Sequence, residues 1–344
     1  LITGASAATL SETITVAAAS RINTDIASGT NTLTISGGIT NTAGLTLGGI
    51  GDFSITGIIS GSTASSTITK DGAGKLLLSG VNTYAGTTSV TAGVIQIASN
   101  DALGTLSGSQ GTIVGTGAAV QISGAGALTI PEAFNLNGSG VTNLGVIRLI
   151  GTSAAATLTG GLTVQTASRI NTDATTGTNT LTISTIGITN TAGITFGVTS
   201  AGSINVTSGI SGSNASTSNL IKDGSGAGKL ILSSANTYAG ATTVTAGILQ
   251  ITNNDALDGS QATTVSSGAT LELNGITTLT EPLNLNGTGV GSFGALRVLS
   301  ANPAATLSGL ITAQAATRIN TDIVSGMNTL TISGGITNTN GVTL

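Results

Sequence analysis

Carboxylates and hydroxyls are the main reactive side chains in this sequence. The chain has 13 Asp and Glu and 9 Lys and Arg in 344 residues, but it has no His and no Cys. Without His or Cys it cannot form a Ser-His or Cys-His nucleophile, and most zinc sites are excluded as well. A pair of acids remains as a catalytic arrangement, because glycoside hydrolysis needs only two carboxyl groups roughly 5 to 9.5 Å apart.

The acids are distributed along the chain and are not concentrated in one segment. Asp255 and Asp258 form the only close pair, and Gly104 takes the place of Asp258 in an earlier copy of the same segment. This pattern is typical of a surface loop. An enzyme would gather its acids and aromatic residues into one non-repeating cleft. We therefore expect no catalytic residue and no enzymatic activity.

Two kinds of ligand site can be tested against the sequence. The glycine-rich segment 72–75 is similar to a phosphate-binding loop, but Thr69 occupies the position of the first glycine. Leu76 stands where a Ser or Thr would bind magnesium, and Lys229 fails in the same way. A calcium-binding nonapeptide repeat would need Asp every nine residues, and Asp does not recur at that period. We expect no cofactor-binding site and no metal site.

Threonine pairs of the form Thr-x-Thr recur along the chain, as in Thr32 with Thr34 and Thr40 with Thr42. A flat threonine ladder on a β-solenoid is the surface that ice-binding proteins present, but such a ladder needs a pair at nearly every coil. We favour the simpler interpretation that Thr fills exposed strand positions because it is β-branched and soluble. The recurring pairs are Thr180/Thr182, Thr329/Thr331, Thr189/Thr191 and Thr337/Thr339.

The segment Arg-Ile-Asn-Thr-Asp occurs three times and sets the large-scale organisation. It begins at Arg21, Arg169 and Arg318, so the spacings are 169 − 21 = 148 and 318 − 169 = 149 residues. The repeated Arg could mark a repeated binding point, but we favour a turn in which Arg21 pairs with Asp25, four residues on.

The spacing predicts one continuous β-solenoid over residues 1–344, built of large tandem units. These are residues 1–148 and 149–298 and a partial unit, 299–344. The chain has no starting Met and its last residues do not look like a cap. We expect it to be a piece of a longer protein.

Short strands separated by Gly-rich turns fill each unit, and no segment has the spacing of apolar residues that is typical of a helix. Only residues 100–103 could form a helical turn. Stacked coils of roughly 20-odd residues, about seven per large unit, fit this pattern best. Predicted strands include Thr32–Ser36, Leu45–Leu47, Phe53–Ile59, Lys75–Leu78, Val94–Ile97, Ala119–Ile122, Leu128–Ile130 and Val146–Ile150.

The composition agrees with a thin, regular interior. Aromatic residues make up 2% of the chain and charged residues 6%, so the core must consist of Val, Ile, Leu and Ala. The abundance of β-branched residues and the net charge of only −4 argue against disorder. The mean hydropathy is +0.42, but no run of 18 apolar residues exists, so we expect no transmembrane segment.

One stretch is written twice, at residues 70–97 and 222–251. Its pattern is Lys-Asp-Gly, then Gly-Lys-Leu-x-Leu, Asn-Thr-Tyr-Ala-Gly and a final Val-Thr-Ala-Gly. The second copy departs from the first in two turns, where Ser225-Gly226 is added and Ser234 replaces Gly80. The shared residues form a structural repeat signature: Lys70, Gly72, Gly74, Leu76, Leu78, Asn82, Tyr84, Gly86 and Gly93, and Lys222, Gly224, Gly228, Leu230, Leu232, Asn236, Tyr238, Gly240 and Gly247.

The signature makes specific structural predictions. Its glycines Gly72, Gly74, Gly86 and Gly93 fall where the chain must reverse with a positive φ. Tyr84 should cover the end of an apolar row near a turn, with its hydroxyl at water or a backbone carbonyl. Asn at turns, namely Asn23, Asn41 and Asn82, suits either left-handed corners or side-chain stacking between coils.

The repeated signature closely resembles the autotransporter-associated β-helix repeat of bacterial autotransporter passenger regions. In that family the repeat lies in a secreted, right-handed parallel β-helix and is associated with export of the passenger. The resemblance implies an all-β, right-handed parallel β-helix for this chain and a location on the bacterial outer surface. It says which kind of scaffold is present, not what the scaffold is for.

From these observations we predict a passenger-type fragment that serves as a structural or adhesive rod at the cell surface. Its partner would be a host or neighbouring-cell surface, or further copies of itself end to end. Nucleic acid is disfavoured, because 9 basic residues are spread evenly along an acidic chain. The alternatives are a subunit of an extracellular filament or sheath and a carbohydrate-active β-helix enzyme.

Overall fold

The structure, a computed structural model, comprises two compact units, Leu1–Asn171 and Thr172–Leu344. The sequence boundaries at residues 148 and 298 stay a prediction, because the two units follow contacts and not sequence copies. The structure describes residues 7–25, 32–105, 111–124, 126–174, 177–184, 186–199, 201–257, 261–299, 304–322, 329–338 and 340–344.

The fold is an all-β parallel solenoid, as the sequence predicts, and it has about 12 turns. Its strands form because inward and outward residues alternate. In Lys75–Leu78, for example, Leu76 and Leu78 are buried whereas Lys75 and Leu77 are partly exposed. Each coil places its strands directly on those of the next coil, in parallel register. The backbone hydrogen bonds of one coil are therefore completed by its neighbours.

In the first unit the strands lie in three rows. Within the second row they fall into two groups, and the described residues 98–105, which lie between the groups along the chain, form turns and no strand. A short 3₁₀ turn, Val141–Asn143, precedes the last first-row strand of this unit. The first row contains Ala8–Leu10, Thr32–Ile35, Asp52–Ile55, Lys75–Leu78, Gly93–Ile97, Ala118–Ile122 and Ile147–Gly151; the second row contains Ile14–Val16, Ile39–Asn41, Ile59–Gly61 and Thr83–Tyr84, then Leu128–Ile130 and Ala155–Leu158; the third row contains Ser20–Thr24, Leu45–Gly49, Ile68–Lys70, Thr88–Val90, Thr112–Val114, Phe134–Leu136 and Leu162–Val164.

The strand Ser168–Ala174 carries the chain into the second unit, whose strands repeat this plan. The corresponding 3₁₀ turn is Val290–Ser292. The first row contains Thr180–Ile183, Ser203–Val206, Lys229–Leu232, Ile248–Ile251, Thr270–Leu273, Leu296–Val298, Thr317–Thr321 and Val342–Thr343; the second row contains Ile188–Asn190, Ile210–Gly212 and Thr237–Tyr238, then Thr278–Leu279, Ala305–Leu307 and Leu330–Ile332; the third row contains Ile194–Val198, Leu220–Asp223, Thr242–Val244, Thr263–Val265, Leu283–Leu285, Ile311–Ala313 and Ile336–Asn338.

The core of each unit is a set of aliphatic stacks. Leu33, Phe53, Leu76, Ile95 and Val120 pair in register through five successive coils, and all are buried. Burying each such side chain contributes about 1.5 to 3 kcal/mol before the entropy of ordering it is counted. In the second unit the matching stack consists of Leu181, Ile204, Leu230, Leu249 and Leu271.

Two predictions about strands and coils are wrong. Phe53–Ile59 is not one strand: Asp52–Ile55 ends at a turn, and Ile59–Gly61 begins the next row. Seven coils per large unit is too many, because about 12 turns cover the whole chain.

The count is lower because the coils differ in length. Leu76 stacks on Ile95 of the next coil, but Val120 stacks on Ile147, which lies considerably further along the chain. The longer coil includes the 3₁₀ turn Val141–Asn143 and the loop around it. Such outward loops add residues to a coil without adding a coil.

Candidate functional site: the two signature segments

The signature lysines are buried at a corner of the coil. Lys70 ends the strand Ile68–Lys70 and is 0% exposed. Its Nζ donates to the carbonyl oxygens of Asp71 at 2.9 Å and Gly72 at 2.8 Å, and to that of Ala92, in the next coil, at 3.3 Å. Burial lowers the pKa of the Lys70 ammonium to about 8, although the nearby carboxylates raise it. The ammonium therefore cross-links two successive coils from inside.

Lys222 repeats this arrangement in the second unit. It is 0% exposed, and its Nζ donates to the carbonyl oxygens of Asp223 at 2.6 Å and Ala246 at 3.0 Å. The insertion of Ser225-Gly226 lies in the turn beyond these contacts, so it lengthens the corner and leaves the ammonium in place. A lysine held in this way by backbone carbonyls is a structural cation.

The signature asparagines connect three coils at once. The Oδ1 of Asn82 accepts from the backbone N–H of Ile59, in the preceding coil, at 2.8 Å. Its Nδ2 donates to the carbonyl of Ala102, in the following coil, at 2.6 Å. Of the two alternatives left open by the sequence, side-chain stacking between coils is therefore correct for Asn82. Asn236 makes the matching bonds to the N–H of Ile210 at 2.8 Å and the carbonyl of Ala256 at 2.6 Å.

The signature tyrosines are packing residues with an internal hydrogen bond. Tyr84 and Tyr238 are 1% and 0% exposed. Their hydroxyls lie 2.7 and 2.6 Å from the Oγ1 of Thr88 and Thr242, the inward residues of the next strand. The prediction that the hydroxyl reaches water or a backbone carbonyl is therefore wrong. Burial raises the pKa of the Tyr84 hydroxyl further above its ordinary value.

A buried carboxyl, which no sequence motif indicated, lies beside each Tyr–Thr pair. Thr88 is in register with Thr112, whose Oγ1 donates to the Oε1 of Glu132 at 2.7 Å. Burial raises the pKa of Glu132 to about 7, although the bond from Thr112 lowers it. In the second unit Thr263 donates to Glu281 at 2.8 Å. The recurrence of Glu after 281 − 132 = 149 residues was the only signal in the sequence.

The signature glycines serve two different purposes. Gly72 and Gly93 have φ of +77° and +68°, as predicted. Gly74 and Gly86 do not have a positive φ, so the prediction for them is wrong. They are glycines because the backbone of the preceding coil passes where a side chain would begin. In the second copy, Gly224 and Gly247 belong to the first kind, and Gly228 and Gly240 to the second.

The signature leucines belong to the core. Leu76 and Leu78 point inward from Lys75–Leu78, and both are 0% exposed. Leu230 and Leu232 do the same in the second unit. They pair in register with the leucine or isoleucine of the next coil.

The repeated arginine pairs differently from the prediction. Arg21 donates to both carboxylate oxygens of Asp71, at 2.6 and 2.9 Å, and to Oδ1 of Asn23 at 3.0 Å. Asp71 is two coils away, and the coil between them carries Gly48, where any side chain would clash with the ion pair. Asp25 acts on Arg21 through its charge, which raises the pKa of the guanidinium less than Asp71 does. Asp25 accepts from Asn23 instead.

A charged cluster forms on the outer side of the first row in the second unit. Glu272 is 1% exposed and accepts from Lys229 at 2.7 Å, Gln250 at 3.1 Å and Arg297 at 3.1 Å. Arg297 also donates through Nε to Asp322 at 2.6 Å. This cluster could not be predicted from the sequence, because its members come from separate coils and follow no short motif.

Three further candidates from the sequence remain: the acid pair, a metal site and the threonine ladder. Asp258 lies outside the described residues, so the Asp255–Asp258 pair has no structural account. Within the described ranges, no three acids lie together as metal ligands would. The threonine ladder is interrupted. Thr34 is in register with Ser54 and then with Leu77, so the ladder that ice binding needs stops within three coils.

The two signature segments match a known protein family. Residues 68–97 and 220–251 match the family described as passenger-associated-transport-repeat. The chain carries two passenger-associated transport repeats. They coincide with the two segments in which the buried lysine, asparagine and tyrosine lie. No curated protein and no solved structure matches the chain.

The transport repeats and the parallel solenoid together support an autotransporter passenger-type domain. The geometry explains what the repeat signature specifies: one coil corner, held to its neighbours by buried polar side chains. Among the residues described, no helix is long and apolar enough to cross a membrane.

Proposed function

We propose that this chain is a non-catalytic part of a secreted surface rod, with an adhesive or structural role outside the bacterial cell. The observation that carries the proposal is the buried Lys70 ammonium. The most chemically distinctive side chain of the repeat is 0% exposed, and its ammonium donates to three backbone carbonyls. Its work is to hold coils together, which is what a rod requires of each repeat.

The acids support the same proposal. Glu132 and Glu281 are 5% and 3% exposed and accept from threonine hydroxyls, and Glu272 is held by ion pairs. Hydrolysis of a glycoside would need two carboxyls facing the same substrate. These three carboxyls instead contact neighbouring coils of their own unit. Secretion to the outer surface is supported by the match to the transport repeat.

Two assays on the purified chain test the proposal. Incubation with pectin, β-glucan and mucin glycans should produce no new reducing ends. Beads coated with the chain should attach to epithelial cells or to one another more than albumin-coated beads do. Turnover of any of these polymers that is abolished by one Asp or Glu substitution would overturn the non-catalytic proposal. Beads that attach to nothing would contradict the adhesive role.

A further inference from the structure

Phe293 is the exception among the aromatic side chains. The chain has four Phe and two Tyr. Five of these six are at most 1% exposed, because aromatic rings fill the wide places of a narrow core. Phe293 is 54% exposed. It lies in a loop, residues 287–294, that leads from the third row to the first row of the second unit. We call this segment the Phe293 loop.

The Phe293 loop has an unusual backbone that is fixed at its base. Gly291 and Ser292, next to the ring, have φ of +59° and +61°. The equivalent Thr142 and Asn143 of the first unit have φ of +52° and +61°, so this strained conformation belongs to the loop in both units. Thr270 anchors the loop, because its hydroxyl donates to the carbonyl of Gly294 at 2.9 Å and accepts from the N–H of Val290 at 2.9 Å. The ring therefore lies on a loop whose backbone is held in place by hydrogen bonds.

The ring is also held in orientation. The guanidinium of Arg297 lies over the ring, 4.9 Å from its centroid. Arg297 is itself fixed by Glu272 and Asp322. A side chain at position 291 would crowd the ring edge, and glycine leaves that edge open. An exposed aromatic ring with a fixed orientation is preorganised for a partner.

We propose that the Phe293 loop is a binding point for one sugar ring of a neutral glycan. The proposal rests on the adhesive function above and names its partner class. An aromatic ring stacks on the C–H face of a pyranose, and the exposed side chains of Thr288 and Ser292 can bond the hydroxyls at its rim. One exposed ring on a short loop offers far less contact area than the roughly 800 Å² per partner that a stable protein interface buries.

The charges beside the ring favour an uncharged partner. The cations Lys229 and Arg297 are offset by the anions Glu272 and Asp322, so no net charge remains in the cluster. An acidic polysaccharide or a phosphate would find no attraction there. A single ring gives weak binding, and affinity for a polymer would arise from many copies acting together.

The first unit supplies a natural control. Its equivalent loop, residues 138–145, has Leu144 in place of Phe293 and Thr142 in place of Gly291. Leu144 is 42% exposed, so the position is solvent-facing in both units. Phe293→Leu therefore gives the second loop the residue that the first loop already tolerates, and it should not disturb the fold.

Affinity electrophoresis of the whole chain through gels containing hydroxyethyl cellulose, galactomannan or dextran tests the proposal. We expect at least one of these neutral polymers to retard the chain. Phe293→Leu should weaken that apparent association about five- to tenfold, as expected for losing one stacked ring. Leu144→Phe combined with Thr142→Gly should strengthen it. Circular dichroism of each variant should match that of the unsubstituted chain.

The outcomes separate this proposal from the proposed function. Failure of all three polymers to retard the chain, or equal retardation of Phe293→Leu, would overturn the glycan site. A fall in molecular mass of Phe293→Leu on size-exclusion chromatography would also overturn it, because the ring would then contact another copy of the chain. If coated beads of both forms attach to cells equally, the adhesive function stands without this site.

Discussion

The two units are alike at the inward positions of their signature segments and differ at an outward position beyond those segments. Asn82 and Asn236 make the same pair of buried bonds, with distances that agree. On the outer side of the first row, Gln121 of the first unit stands where the second unit has Glu272, within a charged cluster. Inward positions are constrained by the coils above and below, whereas outward positions meet solvent and are free to differ.

The largest expected effect tests whether the inward positions of the two units are equivalent. Tyr84→Ala and Tyr238→Ala should each lower the free energy of unfolding of their own coils by about 3 to 5 kcal/mol, because each removes a fully buried ring. Hydrogen exchange should show the loss within a few coils of each substitution, since coils contact only their neighbours. Clearly unequal losses would show that the two interiors are not equivalent. Tyr84→Phe, which keeps the ring, is the control.

The next effect concerns the asparagine bridges. Asn82→Ala and Asn236→Ala should each cost about 2 to 4 kcal/mol, because each leaves one buried N–H and one buried carbonyl without its partner. Hydrogen exchange at Ile59 and Ile210 measures this directly. Asn135→Ala, at an outward strand position, should change stability by no more than about 0.5 kcal/mol. An equal effect from Asn135 would remove the distinction between inward and outward positions.

The buried Glu132 should make the first unit sensitive to pH. Its pKa is raised from 4.5 to about 7 by burial, so the folded state binds the proton more tightly than the unfolded state does. The stabilisation is complete below pH 4.5 and is lost as the pH rises towards 7, by up to about 3 kcal/mol. Hydrogen exchange at residues 112–114 across this range is the measurement. Glu132→Gln should flatten the dependence, and an unchanged slope would assign it to another group.

The smallest expected effect tests the difference between the two units at the outward position held by Gln121 and Glu272. Glu272→Gln, which gives the second unit the residue of the first, should cost about 1 kcal/mol, because Lys229 and Arg297 lose their shared carboxylate but keep contact with water. Gln121→Glu should cost nothing or stabilise slightly, since Lys75 and Arg148 occupy the matching positions. Thermal denaturation at low and high salt compares the two variants. A destabilised Gln121→Glu would show that the outer faces are not interchangeable.

Much of the fold could be predicted from local pattern. Alternation identifies Leu76 and Leu78 as inward residues, and the recurrence of the signature identifies the solenoid. The partners of polar groups could not be predicted, because they depend on which residues the coils stack together. Arg21 reaches Asp71 across two coils, and the unequal lengths of the coils hide that register from the sequence.

The same reason explains the errors at the candidate sites. The sequence predicts that the Tyr84 hydroxyl bonds water or a carbonyl, because nothing near it in sequence suggests that the hydroxyl of Thr88 turns inward. Glu132 cannot be distinguished from the other acids among the 13 in the sequence, because its burial depends on how the coils stack. Local pattern gives the direction of a side chain, and only the register gives its partner.

The asparagine bridge has a mechanical consequence. Asn82 is bonded to the coil before it and to the coil after it, so a force that peels the chain from one end must break side-chain bonds as well as backbone bonds at this point. Neighbouring coils without such a bridge would open at lower load. Each transport repeat would then resist mechanical unfolding at this point. Unfolding that starts in an exposed loop would stop at the three coils that the asparagine side chain connects.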